Sequence, residues 1–128
     1  MQEKQLFEYA VIRFVPSVER EEFLNIGVIV FCQAQGFLQT KTLVDEKRIS
    51  SFSAESDLLI LREGLRSFER ICAGRKEGGA IGQLSIASRF RWLTANRSTI
   101  LQTSAVHPGL CLNPEETLHR LFNQLVTS

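Results

Sequence analysis

The chain has 128 residues, 44% hydrophobic and 23% charged, and its 15 basic and 14 acidic side chains leave a net charge of +1. This is the composition of one ordinary soluble domain, long enough to bury roughly two thirds of its unfolded surface without a metal or a disulfide. A strongly cationic nucleic-acid-binding tail and an acidic tail are excluded, and the longest nearly unbroken apolar run, Ile26 to Cys32, is far short of the ~20 residues of a membrane span. The polar opening Met1-Gln2-Glu3-Lys4-Gln5 carries no secretory signal pattern. Three cysteines, Cys32, Cys72 and Cys111, without CxxC spacing predict free thiols in a reducing, cytoplasmic compartment.

Phe7 to Val15 alternates with apolar residues on both sides. Ala10, Ile12 and Phe14 fall on one face; Phe7, Tyr9, Val11 and Val15, with Arg13 among them, fall on the other. That predicts a central strand covered on both faces. Pro16 cannot donate to a ladder and is expected to end the strand. Ser17 to Leu24 reads as a charged connection with room for one helical turn. Asn25 to Gln33 is a second two-sided strand, Gly36 marks a hairpin turn, and Phe37 to Val44 is a third strand with Thr and Lys on its wetter side. These three segments form an antiparallel meander.

Ser53 then opens a helix whose apolar residues Leu58, Leu61, Leu65, Phe68 and Ile71 or Cys72 repeat at three and four, and Gly74 stops it. Arg75 to Gln83 holds a glycine cluster and reads as a flexible connector inside one domain. Ile86 to Thr94 fits a short helix, with a strand as its competitor because SIASRFRWL alternates in part. Thr99 to Val106 reads as a fourth strand, with a loop at His107-Pro108-Gly109. Asn113-Pro114-Glu115-Glu116 is the start of a helix: Asn caps, Pro fits the first turn, and carboxylates favour the positive end of the dipole. Leu118, Leu121, Phe122, Leu125 and Val126 form its buried stripe. The expected fold is a single α+β domain, 1–128, with a mainly antiparallel four-stranded sheet and helices packed on it.

Charge is unevenly placed. Residues 1–57 hold six basic and nine acidic groups, net −3, whereas residues 58–97 hold eight basic and three acidic, net +5. Arg62, Arg66 and Arg70 recur every four residues on one helix face. With Arg89 and Arg91 they are candidate anion-binding residues, for phosphate, nucleic acid or an acidic partner. Glu63 and Glu69 lie among them, so a solvated, internally paired face is the competing reading. In Arg89-Phe90-Arg91-Trp92 the two rings would share one face on a strand and could stack bases; on a helix they diverge and one is core.

The glycine loop lacks GxxxxGK[ST], and His107, Cys111 and His119 do not reach the ligand count of a zinc site. No cofactor motif, GxSxG elbow or HExxH is present, and no catalytic residue is assigned. The most distinctive cluster joins the first two strands. Arg13, Arg20, Glu22 and Asn25 are its candidate recognition residues, and Gly27 permits a close approach or marks a bulge. The competing reading has Glu22 and Asn25 capping turn backbone while Arg20 pairs with Glu22.

The run YAVIRFVPSVEREEFLNIGVIVF resembles the opening of the bacterial domain-of-unknown-function family numbered 3037. Tyr9, Arg13, Pro16, Arg20, Glu22, Phe23, Asn25, Gly27 and Val28 stand at matching positions. Weaker matches follow at Ser88-Arg89-Phe90, Leu101-Gln102-Thr103-Ser104, His107-Pro108-Gly109 and the closing helix. The resemblance implies a small partner or regulatory subunit, often encoded beside kinase-like proteins similar to HipA, and brings no catalytic residues. The leading expectation is a non-enzymatic bacterial protein-interaction module with a protein partner. A nucleic-acid or phosphate-ligand binder using the arginine face is the second reading. An enzyme with Glu22 as base ranks last. A second copy of the chain is a further candidate partner; Lys41 on an edge strand would discourage sheet-to-sheet pairing.

Overall fold

The computed structural model describes residues 3–17, 22–51, 53 and 55–127. Five strands form one open antiparallel sheet: β1 (Gln5–Ser17), β2 (Glu22–Cys32), β3 (Phe37–Thr42), β4 (Leu101–Thr103) and β5 (His107–Cys111). Five helices accompany it: α1 (Glu46–Ser50), α2 (Glu55–Ala73), α3 (Gly79–Gly82), α4 (Ile86–Leu93) and α5 (Pro114–Leu125). The path runs β3-β2-β1, and the far edge of β1 is shared between β4 and β5.

The two-sided strands of the N-terminal half are sandwiched. Ala10, Ile12, Phe14, Ile29 and Phe31 meet Leu61, Leu65 and Phe68 of α2 and Phe90 and Leu93 of α4. The Phe31 and Phe90 rings stack with centroids 5.0 Å apart. On the other side Phe7, Val28, Val30 and Cys32 meet Leu118, Leu121 and Phe122 of α5. Each of the buried Val, Leu, Ile and Phe side chains among them contributes about 1.5–3 kcal/mol of transfer free energy. That two-sided burial is why β1 and β2 carry almost no polar alternation.

Two irregularities in the β1–β2 pairing shape the open end of the hairpin. Ile12 faces Gly27 but Arg13 faces Asn25, so Ile26 is an extra residue. This bulge re-phases β2: Ile26 and Leu24 turn to the α2 side, together with Ile29 and Phe31. The second shift lies between Phe14 and Ser17. It absorbs Pro16, so the strand continues past the proline that was expected to end it. Glu22 to Leu24 likewise belong to β2 and not to a helical turn; residues 18–21 lie outside the described residues.

The sheet has five strands rather than four. Thr99 to Val106 shortens to β4, and the His107-Pro108-Gly109 segment, expected as a loop, is the start of β5. An edge strand tolerates proline. Gly109 pairs with Phe7, and a Cβ there would lie 2.6 Å from the Phe7 ring, so the ring covers the glycine. The His107 ring packs 5.3 Å from that of its partner Tyr9. Between β4 and β5, Ser104 replaces the missing ladder. Its N–H donates to Val11 O at 2.8 Å, and its buried hydroxyl accepts from Val11 N at 2.8 Å. Ser104→Ala leaves that buried N–H without its acceptor, and an expected loss of about 1–3 kcal/mol in chemical denaturation would register it.

The helix starts follow local chemistry. Asn113 Oδ1 accepts from Glu115 N and Glu116 N at 3.0 and 3.3 Å. Asp45 caps α1, a five-residue helix absent from the sequence reading. The glycine-rich connector is ordered into a 3-10 turn at Lys76–Gly78 followed by the single turn of α3. Ile86–Leu93 is helical, which removes the strand alternative. No helix among the described residues is long and apolar enough to cross a membrane.

Candidate functional site

The candidate recognition residues lie at the bulged end of the hairpin. Arg13 and Asn25 are register partners. The Arg13 guanidinium stacks over the Phe23 ring at 4.1 Å, and Asn25 Nδ2 donates to Leu125 O at 3.1 Å, closing the last turn of α5. Asn25 thus ties together segments a hundred residues apart. Glu22 shares a strand face with Leu24, opposite Asn25, by alternation. Arg20 lies outside the described residues. Of the four, the structure brings Arg13 and Asn25 together.

The five candidate anion-binding arginines separate. Arg62, Arg66 and Arg70 share one exposed face of α2. Arg62 pairs with Glu46 of α1. Arg66 lines two shallow depressions of about 370 and 290 Å³, the first with Arg62 and the second with Arg70, and Glu69 borders both. Glu69 also accepts a hydrogen bond from Thr42 Oγ1 at 3.1 Å. Arg91, on α4, binds Glu8 at 2.6 Å. Arg89 is 9% exposed and points inward. Its Nη1 donates to Ile71 O and Cys72 O at 3.2 and 2.9 Å, and its Nε to Leu84 O at 3.0 Å. A guanidinium here satisfies carbonyls at the C-terminal, negative end of α2. Arg89 is therefore drawn away from the other four.

Phe90 and Trp92 diverge on the helix, as the helical alternative requires. Phe90 is core, whereas Trp92 is 47% exposed. Trp92 forms one wall of a groove of about 320 Å³ between α2 and α4. Ile60, Gly64, Ser67 and Ile71 of α2 form the opposite wall, with Leu101 against Gly64. Ile60 is 54% exposed. Arg97 is the charged residue of the lining. Its guanidinium lies 5.4 Å from the Trp92 ring centroid and donates to Trp92 O and, at 3.3 Å, to Leu93 O. Those bonds close the end of α4 and fix a cation at the rim. The groove's apolar, partly open lining is suited to binding an apolar side chain or segment.

Sequence reasoning missed this groove. The core stripe ends at Ile71 or Cys72 on the sequence reading, the structure buries Cys72, and Ile60 lies outside the periodicity. The available signal was a second stripe on α2, Ile60, Gly64, Ser67 and Ile71, spaced four, three and four beside the core stripe.

The three cysteines are free and buried. Burial pushes the Cys72 thiol from an ordinary 9.0 up to about 12, against weaker opposing effects of Thr40 and Arg89. Because the raised value belongs to the folded state, the stabilisation is complete below about pH 9. It falls as the unfolded thiol ionises while the native one stays protonated. Wild-type stability should drop between about pH 9 and 12 by up to about 1.4 kcal/mol per unit more than that of Cys72→Ala. Parallel denaturation of both proteins across that range checks the slope. Among the described residues, no three His, Cys, Asp or Glu side chains gather as a metal site.

No curated protein and no solved structure matches the chain. The model of a family of proteins of unknown function, DUF3037, matches residues 9–126, and the chain belongs to that family.

Proposed function

We propose that the protein is a non-enzymatic interaction module, a regulatory partner subunit of a second protein in the bacterial cytoplasm. The α2–α4 groove carries this reading. There, large apolar side chains stand in solvent, while several polar groups singled out in the sequence are committed to the fold. Arg89 closes α2, Asn25 closes α5, and Arg62 and Arg91 are paired. An exposed apolar patch framed by polar residues is the usual mark of a docking surface. A kinase-like protein similar to HipA is the partner class suggested by the family resemblance.

A second reading rests on Arg66 and Arg70, which stand exposed on one face of α2 beside the depressions bordered by Glu69. It makes the protein a binder of nucleic acid or a phosphate ligand. Affinity purification from native lysate, with and without nuclease and at two salt concentrations, separates the readings. The interaction-module reading expects a stoichiometric protein that survives nuclease. Recovered nucleic acid that washes off with salt, and no such protein, would replace it by the second.

A further inference from the structure

We propose that the α2–α4 groove receives an amphipathic helix of a partner protein whose apolar stripe is flanked by carboxylates, one of them meeting Arg97. This deepens the interaction-module reading and rests on it.

The shape of the groove selects a helix. Its α2 wall is a straight seam at four, three and four spacing from Ile60 to Ile71, about 16 Å long. Between the two isoleucines Leu101 lies against Gly64, where a Cβ would be 3.3 Å from its Cδ2, and the small side chain of Ser67 leaves room for a large side chain from a facing helix, as in knobs-into-holes packing. Trp92 supplies the aromatic wall typical of a strong anchor site. A small ligand is normally enclosed over most of its surface; this groove is open along its length and suits an elongated occupant.

Charge selects the occupant's sign. Among the described residues no carboxylate lines the groove, and the one charged lining residue is Arg97. Arg97 is held in place by two main-chain carbonyls and the Trp92 ring, so little side-chain entropy remains to be lost on pairing. A two-fold copy of the chain would meet the groove with the same lining, which among the described residues offers Arg97 no carboxylate, whereas an acidic helix supplies one.

Trp92 is the single tryptophan of the chain, so its emission reports on the groove directly. The probes are two synthetic helical peptides of about five turns with one leucine stripe, flanked by glutamates in one and lysines in the other. The glutamate peptide should shift Trp92 emission to the blue and bind roughly tenfold tighter at low salt, the advantage fading as salt rises. Arg97→Gln should shrink that preference. Ile60→Ser should weaken both peptides, with thermal melts verifying that each variant is folded. Equal or tighter binding of the lysine peptide, or a preference untouched by Arg97→Gln, overturns the acidic partner but leaves the groove as a docking site if Ile60→Ser still acts. Binding of neither peptide, or binding indifferent to Ile60→Ser, overturns the groove itself. Concentration-dependent self-association abolished by Ile60→Ser would make a second copy the occupant and overturn the proposal.

Discussion

Arg89→Ala is expected to destabilise the protein by about 3 kcal/mol, among the larger single-site effects in the chain. The substitution removes a buried guanidinium that among the described residues bonds carbonyls and no carboxylate, which by itself relieves a desolvation cost. The three carbonyls it leaves behind decide the sign. Ile71 O and Cys72 O close α2, Leu84 O precedes α4, and a hydrogen bond from a charged donor to such a group contributes roughly 1.5–3 kcal/mol net. Gly74 is coupled to this arginine. Its φ is +70°, and a Cβ on it would lie 2.0 Å from Arg89 Nη1. Gly74→Ala should therefore cost about 2–3 kcal/mol in wild type, combining left-handed strain with displacement of the guanidinium. In the Arg89→Ala background it should cost only about 1–2 kcal/mol, the strain alone. A double-mutant cycle in urea tests the coupling. Full additivity would mean that the guanidinium does not occupy the space above Gly74. Arg89→Lys should rescue little, because an ammonium cannot bridge the three carbonyls as a planar fork does.

Gly27→Ala is the second large effect, expected at about 3 kcal/mol. The added methyl would lie 2.7 Å from Thr42 Cγ2 and 2.8 Å from Lys41 O. The first neighbour can rotate, but the second is backbone of β3, so relief requires parting β2 from β3 beside the Ile26 bulge. Thr42→Ser removes the offending methyl and keeps a hydroxyl for Glu69. It should recover only part of the loss, which thermal melts of the single and double variants would measure. Complete recovery would show that the Thr42 side chain alone, and not the β3 backbone, makes glycine necessary.

These residues show what could be read from the chain. The meander was legible because two-sided apolar strands and a Gly36 turn are local signals. So was α5, because Asn113-Pro114 and the following carboxylates mark a helix start. The central place of β1 was legible from its two apolar faces, but not the strands on its far edge, because β4 and β5 return from the far end of the chain. β5 itself was hidden: Pro108-Gly109 reads as a turn until Phe7 is known to lie over the glycine. Arg89 looked like part of a cationic surface because it lies in the basic segment 58–97, and only the folded contact with α2 shows its charge turned inward. Arg13 and Asn25 were read only as members of a cluster with Arg20 and Glu22; their pairing depends on the bulge, and the hydrogen-bond partner of Asn25, Leu125 O, lies a hundred residues away. The groove escaped for a related reason. Ile60, Gly64, Ser67 and Ile71 repeat at helical spacing beside the core stripe, but spacing alone does not tell whether such a stripe is covered.

The interaction surface rests on α2, which presents the uncovered apolar stripe on one side and the arginine stripe on another. One pair of variants divides them: Ile60→Glu, in the groove, and Arg66→Glu/Arg70→Glu, on the arginine face. Both alter exposed side chains and should leave the melting temperature within a few degrees of wild type. The decisive measurement is affinity purification of wild type and both variants side by side, quantifying the co-purifying protein after nuclease treatment. Loss of that protein with Ile60→Glu, and its retention with the arginine variant, is the expected result. Retention with Ile60→Glu and loss with the arginine variant would contradict the assignment and move the binding surface to the arginine face.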